Sequence, residues 1–301
     1  MTEARFSFTS DVSGLRLDKF LTGEMEGFSR ARIQRLIEDG NVLVNSISSK
    51  AGYQVNEGDI ITVEVPPSAP SKPVAQKIPI DVVYEDEDII VVDKPAGISV
   101  HPGPGHPDTT LVNAILNYSP NISGGEAERP GIVHRLDKNT SGLIIIARHP
   151  KAHRYLVNQF KHRQVDKTYI ALVKGKVLPE SGFIDAPIGR DSRHRQKMAV
   201  TTDENGREAR TGYQVKEYID GYSLLEVKPE TGRTHQIRVH LAAIGHAIVG
   251  DDTYGPPSRI AARQFLHASR LRFTLPSSGE EVEISSPLPE DLVRVLEQIR
   301  A

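Results

Sequence analysis

The chain has 301 residues, of which 38% are hydrophobic and 25% are charged, so it can form a full core, and at about 150 residues per domain it is expected to contain two domains. It has no cysteine, which excludes disulfides, thiol nucleophiles and thiolate zinc sites. The sequence has no apolar run of membrane-spanning length and begins without the basic-then-apolar order of a signal peptide. A cytoplasmic location and no membrane partner are therefore expected.

The formal net charge of −2 conceals a segregation of charge along the chain. Six Lys or Arg residues lie between positions 148 and 167 against the single acid Asp166, and four lie between 190 and 197 against Asp191. One such cluster is adequately explained as a solvated charged face. Several clusters on one chain instead favour a polyanionic partner, because a partner responds to the local field and not to the net charge.

Residues 13–66 are predicted to form a small N-terminal module, in which helices lead into short strands. One helix is predicted in SRARIQRLIEDG (29–40), with Ser29 as the expected N-cap and Gly40 as the stop. An apolar stripe marks the buried face of this helix and consists of Ile33, Leu36 and Ile37. Arginines project from its other side.

This module resembles the alpha-L RNA-binding motif found in a small-subunit ribosomal protein and in several RNA-modifying enzymes. The resemblance rests on the helix pair that leads into short strands and on the ending NEGDIITVEV (56–65). A helix lined with arginines suits the phosphate spacing and the shape of folded RNA better than it suits base readout. RNA contacts are therefore expected at Arg30, Arg32 and Arg35.

A proline-rich stretch, PPSAPSKPVAQKIP (66–79), separates the two modules, and residues 67–79 are predicted to be a stiff, extended linker. Residues 80–301 mix short strands and helices without a regular β-α-β order. We therefore predict an α+β fold with a mixed, largely antiparallel sheet and flanking helices, in preference to a doubly wound fold. The predicted strands are DVVYEDEDIIVVDKP, GLIIIA, KTYIALVKG, YSLLEVKP and EVEISSP, and the predicted helices are LVNAILNY, HRYLVNQFK and THQIRVHLAAIG.

The segment HRLDKNTSGLIII (134–146) places an acid among basic residues, followed by a Thr-Ser-Gly break and an apolar run. The acid, Asp137, has Arg135 and Lys138 as neighbours. The run from 143 to 147 is too short and too β-branched for an independent helix, so it predicts a buried strand. Asp137 is therefore predicted to lie on a loop held by the core, which is a common place for catalytic residues.

A second polar cluster lies in ETGRTHQIRVHLAAIGHAIVGDDTYG (230–255). Thr234 is predicted to cap a helix that Gly245 ends. Arg233 would then lie at the positive end of the helix dipole, where a cation is unfavourable unless an anion faces it. That anion could be a phosphate or Asp137, and in the plain alternative Arg233 simply pairs with Glu230 or solvent.

The histidines of this cluster do not have metal-ligand spacing. His235 and His240 are five residues apart, without the Glu of a metalloprotease helix and without Cys, so no metal is expected. The sequence also has no P-loop and no dinucleotide fingerprint. On its strand, Tyr169 shares a face with Ala171 and Val173, a pattern typical of a core tyrosine with a satisfied hydroxyl.

Four segments resemble, in order and spacing, the successive motifs of the RluA-type RNA pseudouridine synthases. They are VVDKPAGISVHPG (91–103), GIVHRLDKNTSGLIIIA (131–147), KTYIALVKG (167–175) and PETGRTHQIRVHLAAIGHAIVGDDTYG (229–255). The resemblance implies that Asp137 is the catalytic aspartate, Tyr169 an active-site tyrosine and Arg233 the arginine that pairs with the aspartate. Together with the alpha-L module, it is closest to the members that act on large-subunit ribosomal RNA, with transfer RNA as the alternative substrate.

The implied reaction detaches uracil from ribose at nitrogen and rejoins it through carbon-5. No electrons or groups are exchanged with a cosubstrate, so no cofactor is expected, and a monomer is expected. Further RNA contacts are predicted at Arg135, Lys167, Arg190, Arg193, Arg195 and His235. Two other functions stay open. A non-catalytic RNA-binding or ribosome-assembly protein predicts erosion of the three site residues, and a base-releasing glycosidase predicts a second acid near Asp137.

Overall fold

The computed structural model describes residues 4–25, 28, 30–65, 73–101, 108–126, 128–191, 194, 197–202 and 206–301. The chain divides into two compact units, Met1–Pro70 and Ser71–Ala301. None of the helices in the described residues has the length and apolar character that a membrane span requires. The predicted cap Ser29, the predicted RNA contacts Arg193 and Arg195, and the linker residues 67–72 lie outside the described residues.

The first unit contains a helix pair and a four-stranded sheet. Its elements are β1 (Ala4–Thr9), α1 (Leu17–Glu24), α2 (Arg30–Glu38), β2 (Val42–Val44), β3 (Ile47–Ser48) and β4 (Ile60–Val65). The strand order is β1-β4-β2-β3, and every neighbouring pair is antiparallel. The predicted stripe of Ile33, Leu36 and Ile37 is buried in the core of this unit. The strand β1 begins before residue 13 and pairs along its whole length with β4.

One carboxylate at the centre of the first unit organises its helices. Asp18 is fully buried and accepts hydrogen bonds from Arg16, Arg30 and Gln34, the closest nitrogen of Arg30 lying 2.8 Å away. The hydrogen bond from Arg16 holds the pKa of Asp18 well below its usual range, against the effect of burial. The predicted RNA contact Arg30 therefore joins α2 to α1, while its side chain stays about half exposed.

The second unit contains one large sheet, a small hairpin and four helices in the described residues. Its elements are β5 (Asp81–Glu85), β6 (Ile89–Lys94), α3 (Leu111–Tyr118), β7 (Ser141–Ala147), α4 (Pro150–Lys161), β8 (Asp166–Lys174), β9 (Ser181–Asp185), β10 (Ile188–Arg190), β11 (Met198–Val200), β12 (Arg210–Ile219), β13 (Tyr222–Pro229), α5 (Gln236–Ala243), β14 (Leu266–Thr274), β15 (Glu281–Ser285) and α6 (Glu290–Arg300). The predicted helices and strands form, some with shifted ends, except that the segment DVVYEDEDIIVVDKP forms the two antiparallel strands β5 and β6 in place of one.

The large sheet confirms the predicted α+β class. Its order is β5-β6-β7-β14-β8-β13-β12-β9, with β15 also paired to β14. All neighbours are antiparallel except β7 and β14, which run parallel over two residue pairs. Residues 74 and 76, inside the predicted linker, exchange hydrogen bonds with Asn113 of α3.

The apolar run in GLIIIA forms β7 near the middle of the sheet, where all seven residues are buried. Gly142, the second residue of this strand, has a φ of +113°, a conformation that L side chains rarely adopt. A Cβ at this position would lie 2.3 Å from the carbonyl oxygen of Ala268 on β14. The glycine of the Thr-Ser-Gly break therefore allows β7 and β14 to approach each other directly after the loop that carries Asp137.

Gly142→Ala is expected to destabilise the second unit by more than about 3 kcal/mol, because backbone strain and a backbone clash coincide. Urea unfolding followed by circular dichroism measures the loss. The matched control is Gly232→Ala, whose added Cβ meets nothing within 4 Å and should change the free energy of unfolding by less than about 1 kcal/mol. Overlapping curves for the two variants would contradict the close approach of the strands.

Candidate active site

A cleft of about 710 Å³ in the second unit is lined by all three predicted catalytic residues, Asp137, Tyr169 and Arg233. Its charged lining is mostly positive. The cations are Arg129, Arg135, Lys161, Arg163, Lys167, Arg233 and Arg238, and the acids are Glu126, Asp137 and Glu230. A cleft with this excess of positive charge attracts a polyanion and raises its local concentration.

Asp137 lies in the turn before β7, and its side chain is 17% exposed. One carboxylate oxygen accepts a hydrogen bond from Arg238 at 3.1 Å, and the other lies 3.9 Å from the Nε2 atom of His235. The backbone carbonyl of Asp137 accepts from the amide of Thr140, which closes the turn. The carboxylate thus reaches the cleft from a short, hydrogen-bonded turn.

Arg238 is shared between two carboxylates. Its Nη1 donates to Asp137, while its Nε and Nη2 form a two-point contact with Asp251 at 2.7 and 2.9 Å. The side chain is only 7% exposed. Burial opposes the charge of Arg238, but the hydrogen bonds and charges of Asp251 and Asp137 outweigh burial and raise its pKa. Arg238 is therefore a fixed cation beside Asp137.

The predicted ion pair of Arg233 with Asp137 is not found, because α5 begins later than predicted. The helix begins at Gln236, and its N-cap is His235 in the left-handed region at φ 57°, so Thr234 does not cap it. Arg233 instead donates from Nε to the carbonyl of Glu208 at 3.0 Å, and within the described residues no ion pair joins it to Asp137. The cation at the positive helix end is Arg238, in the first turn, and two carboxylates face it.

Tyr169 lies on β8 with 9% exposure and packs within the main core, in keeping with its strand pattern. It also lines the cleft, and burial together with the charge of Asp137 raises the pKa of its hydroxyl. The expected satisfied hydroxyl is not found, since none of the described residues is a hydrogen-bond partner of that group. The ring therefore offers a neutral aromatic wall near Asp137.

His235, predicted to contact RNA, is held by a tyrosine that sequence reasoning missed. Its Nδ1 lies 2.8 Å from the hydroxyl of Tyr254, which also accepts a hydrogen bond from the amide of Met198. Burial lowers the pKa of His235, and the charge of Asp137 opposes this effect. Tyr254 also places its ring 5.1 Å from the guanidinium of Arg238. These contacts form one side of the Asp137 environment.

Lys94 anchors the turn of Asp137 from inside the core. The side chain is fully buried at the end of β6, and its Nζ donates to the carbonyls of Pro95, Ile98 and Lys138 at 2.8 to 3.2 Å. Burial lowers the pKa of Lys94 to about 7, although the negative charge of Asp137 acts in the opposite direction. The lysine therefore fixes the residue that follows the carboxylate.

Arg263 fixes the next part of the turn. Its Nη1 donates to the carbonyl of Asn139 at 3.0 Å, and its Nη2 donates to the hydroxyl of Ser141 at 3.1 Å. The same guanidinium makes a two-point contact with Asp291 in the first turn of α6. The C-terminal helix thus contributes to the placement of Asp137 through one arginine.

His134, the first residue of the segment HRLDKNTSGLIII, stabilises the local structure. Its Nε2 accepts a hydrogen bond from the amide of Ile145 at 2.9 Å, and its ring stacks on Phe160. Burial, together with the charge of Lys167, lowers the pKa of His134 to about 3. The imidazole is therefore neutral at physiological pH and ties the segment before Asp137 to β7.

The remaining predicted RNA contacts have different surroundings. Arg135 and Lys167 line the cleft, and burial lowers the pKa of Lys167 to about 8. Arg190 lies on β10 and is exposed. In the first unit, the guanidinium of Arg32 lies 4.2 Å from the centre of the Phe28 ring, and Arg35 is exposed on α2. Among the described residues, no group of three or more His, Cys, Asp or Glu side chains is placed to hold a metal ion.

Comparison with known proteins identifies both units. Residues 88–243 match the family model described as RNA pseudouridylate synthase, and residues 15–61 match that of the S4 domain. An RNA pseudouridine synthase of Chloroflexus aurantiacus is 54% identical over 287 residues, which are 95% of this chain and 90% of that protein. The ribosomal large subunit pseudouridine synthase D of Nitrosomonas europaea is 43% identical over 300 residues, with 96% and 86% covered.

A solved structure agrees with the fold of the second unit. The human RNA pseudouridylate synthase domain containing 4 protein is 26% identical, with a TM-score of 0.60 over 73% of this chain and 93% of that one. The chain belongs to the RNA pseudouridine synthase family and is an RNA-binding isomerase with an N-terminal S4 domain.

Arg238→Lys is expected to lower the single-turnover rate of pseudouridine formation by about a hundredfold, because a point charge cannot bind two carboxylates with a planar fork. The comparison variant is Arg233→Lys, which should lose less because Arg233 does not contact Asp137. Rates are measured at saturating RNA, with circular dichroism as a check of folding. A larger loss in Arg233→Lys than in Arg238→Lys would contradict this assignment of the ion pair.

Proposed function

We propose that this enzyme isomerises uridines of large-subunit ribosomal RNA and that Asp137 is its catalytic residue. The observation that carries the proposal is the cleft carboxylate of Asp137, which is held against the buried cation Arg238 beside the aromatic wall of Tyr169. The ribosomal substrate is supported by the 43% identity to a ribosomal large subunit pseudouridine synthase of similar length. The S4 domain supports recognition of folded RNA outside the cleft.

The reaction rearranges bonds within one nucleotide. The bond from N1 of uracil to C1′ of ribose breaks, a bond from C5 to C1′ forms, the proton of C5 leaves, and N1 gains a proton. A carboxylate can assist by attack on C1′ of the sugar, by attack on the base or by removal of a sugar proton, and each way requires the ionised form. Asp137 suits all three, because Arg238 stabilises its negative charge in a partly closed cleft.

Tyr169 and Arg238 have separate tasks in this proposal. The target uridine must leave its stack to reach Asp137, and the ring of Tyr169 gives the displaced base an aromatic face. Arg238 is held by two hydrogen bonds to Asp251, so it can orient the carboxylate of Asp137 without a contact to the substrate. Asp137 and Tyr169 would touch the substrate, and Arg238 would position Asp137.

The other cleft acids argue against a base-releasing glycosidase. Such an enzyme needs a second carboxylate that protonates the leaving group or activates water. Glu126 is paired with Arg129 at 2.7 Å, and Glu230 is paired with Arg210 at 3.5 Å. Asp251 is 1% exposed and bound to Arg238. Asp137 differs from these acids because it combines access to the cleft with the buried cation Arg238 and the neighbouring ring of Tyr169.

A non-catalytic RNA-binding protein would have little use for the arrangement around Asp137. Holding a carboxylate and a guanidinium away from water is costly, and such a pair often adds little to stability. In this chain the pair of Asp137 and Arg238 borders a cleft. It is supported by the ion pair of Arg238 with Asp251 and by the hydrogen bond from Lys94 to the turn that carries Asp137. This arrangement favours an enzyme.

Deletion of the gene from its host is expected to remove one or more pseudouridines from large-subunit ribosomal RNA. Wild type should restore them and Asp137→Asn should not, because the nearly isosteric amide cannot act as nucleophile or base. Chemical mapping of pseudouridine across all cellular RNA provides the measurement. Losses confined to transfer RNA would overturn the ribosomal assignment, and activity of Asp137→Asn within about tenfold of wild type would overturn the role of Asp137.

Removal of residues 1–66 is expected to weaken RNA binding and to misdirect site choice without abolishing chemistry, because Asp137, Tyr169 and Arg238 all belong to the second unit. Binding and pseudouridine maps of the truncated and full-length enzymes give the comparison. A full-length variant with Arg32→Gln and Arg35→Gln tests the arginine face without truncation. Equal affinity and equal site choice in all three proteins would exclude a role of the S4 domain in recognition.

A further inference from the structure

Two arginines at the cleft are held by one glutamate. Arg163 follows α4, and its Nη2 donates to the Oε1 atom of Glu208 at 2.7 Å. Arg233 precedes α5, and its Nε donates to the backbone carbonyl of the same residue at 3.0 Å. Both arginines line the cleft, although they come from segments seventy positions apart in the chain. Glu208 therefore brings two separate cations to one place.

The side chain of Arg233 is held in place by only one of its nitrogens. Its Nε is taken by Glu208, and within the described residues its two terminal nitrogens have no hydrogen-bond partner. A guanidinium with free terminal nitrogens presents the fork that binds the oxygens of a phosphate. The position of Arg233 is thus suited to an anion that comes from outside the chain.

The backbone of Arg163 has an unusual conformation. It adopts a φ of 58°, a left-handed conformation that is unfavourable for a residue with a side chain. This left-handed residue terminates α4, whose last residue is Lys161, and both side chains line the cleft. No described acid pairs with Lys161 within ion-pair distance. The end of α4 therefore supplies two cations, and among the described residues only Arg163 has a carboxylate partner.

The three acids of the cleft lining are already engaged. Glu126, Asp137 and Glu230 pair with Arg129, Arg238 and Arg210. The carboxylate of Glu208 is 64% exposed, and among the described residues its ion-pair partner is Arg163. An exposed pair of this kind contributes little to stability and is readily exchanged for another anion.

We propose that Arg163 and Arg233 form a binding site for a backbone phosphate of the RNA substrate and that the carboxylate of Glu208 occupies this site until RNA replaces it. The proposal rests on the proposed function only in that the substrate is RNA. The two non-bridging oxygens of a backbone phosphate can each accept from one guanidinium group and so bridge both, whereas the Glu208 carboxylate is ion-paired with Arg163 and meets Arg233 only through its backbone carbonyl. In the absence of RNA, Glu208 keeps the two arginines close together. Its carboxylate also competes with other anions for Arg163, so a polyanion that fits the site poorly binds less well.

The test compares Glu208→Gln with a matched variant in the full-length protein. Glu217→Gln is the control, because Glu217 is also an exposed glutamate paired with one arginine, but its partner Arg300 does not line the cleft as Arg163 does. Binding of a short RNA stem-loop with one uridine in its loop is measured in the Asp137→Asn background, so that no turnover occurs. Glu208→Gln is expected to lower the Kd about threefold to fivefold, and Glu217→Gln to leave it within about 1.5-fold.

The arginines give the complementary measurement. Arg163→Gln and Arg233→Gln are each expected to raise the Kd about fivefold to tenfold and to reduce the slope of log Kd against log salt by about one, with Arg300→Gln as the control. In the Arg163→Gln background, Glu208→Gln should have a smaller effect than alone, because the two residues act on one site.

Three results would overturn the inference. They are equal Kd values for Glu208→Gln and Glu217→Gln, salt slopes of the arginine variants equal to that of Arg300→Gln, and full additivity of the Arg163 and Glu208 substitutions. Failure of the proposed function is seen separately, since it would leave the wild-type protein unable to modify large-subunit ribosomal RNA. RNA binding by the phosphate site is measured without reference to that substrate.

Discussion

The ion pair between Arg238 and Asp137 is the interaction on which the rest of the site depends. An acid in a partly closed cleft loses hydration, and a fixed cation at 3.1 Å offsets that loss. Arg238 is itself buried, so it requires the second carboxylate of Asp251. Because this cation lies in the first turn of α5, where the helix dipole opposes positive charge, one anion would compensate it less well than two.

The sheet provides the rigidity that such a pair needs. Gly142 lets β7 lie against β14, and the turn before it is bound from one side by Lys94 and from another by Arg263. Lys94 binds only backbone carbonyls, and Arg263 binds the carbonyl of Asn139 as well as the hydroxyl of Ser141, so both hold the shape of the backbone around the turn. Asp291 extends this support to the last helix of the chain. The carboxylate is therefore placed by elements from nearly the whole second unit.

Much of the fold was predictable from local pattern. The β-branched run of β7, the apolar stripe of α2 and the absence of β-α-β order were sufficient for the α+β class. Two kinds of element were missed. The strands β12 and β14 contain charged residues, which weaken the apolar pattern by which a strand is predicted. The helix α6 has a clear apolar stripe of Leu292, Val295 and Leu296 and could have been predicted from it. The sheet order itself depends on pairings between distant segments and leaves no local pattern.

The sequence by itself predicted an acid on a loop before a buried strand and an arginine near the start of a helix that requires an anion. The tyrosine was added to the predicted site by the family resemblance, because its strand pattern alone indicated a core residue. Only the tertiary structure decided that this arginine is Arg238 and that Arg233 lies against Glu208. The reason is physical. The argument from the helix dipole depends on the residue at which the helix begins, and His235 in a left-handed conformation moves that start beyond Thr234. A contact across 101 positions is set by the packing of α5 against the sheet, which no spacing in the sequence expresses.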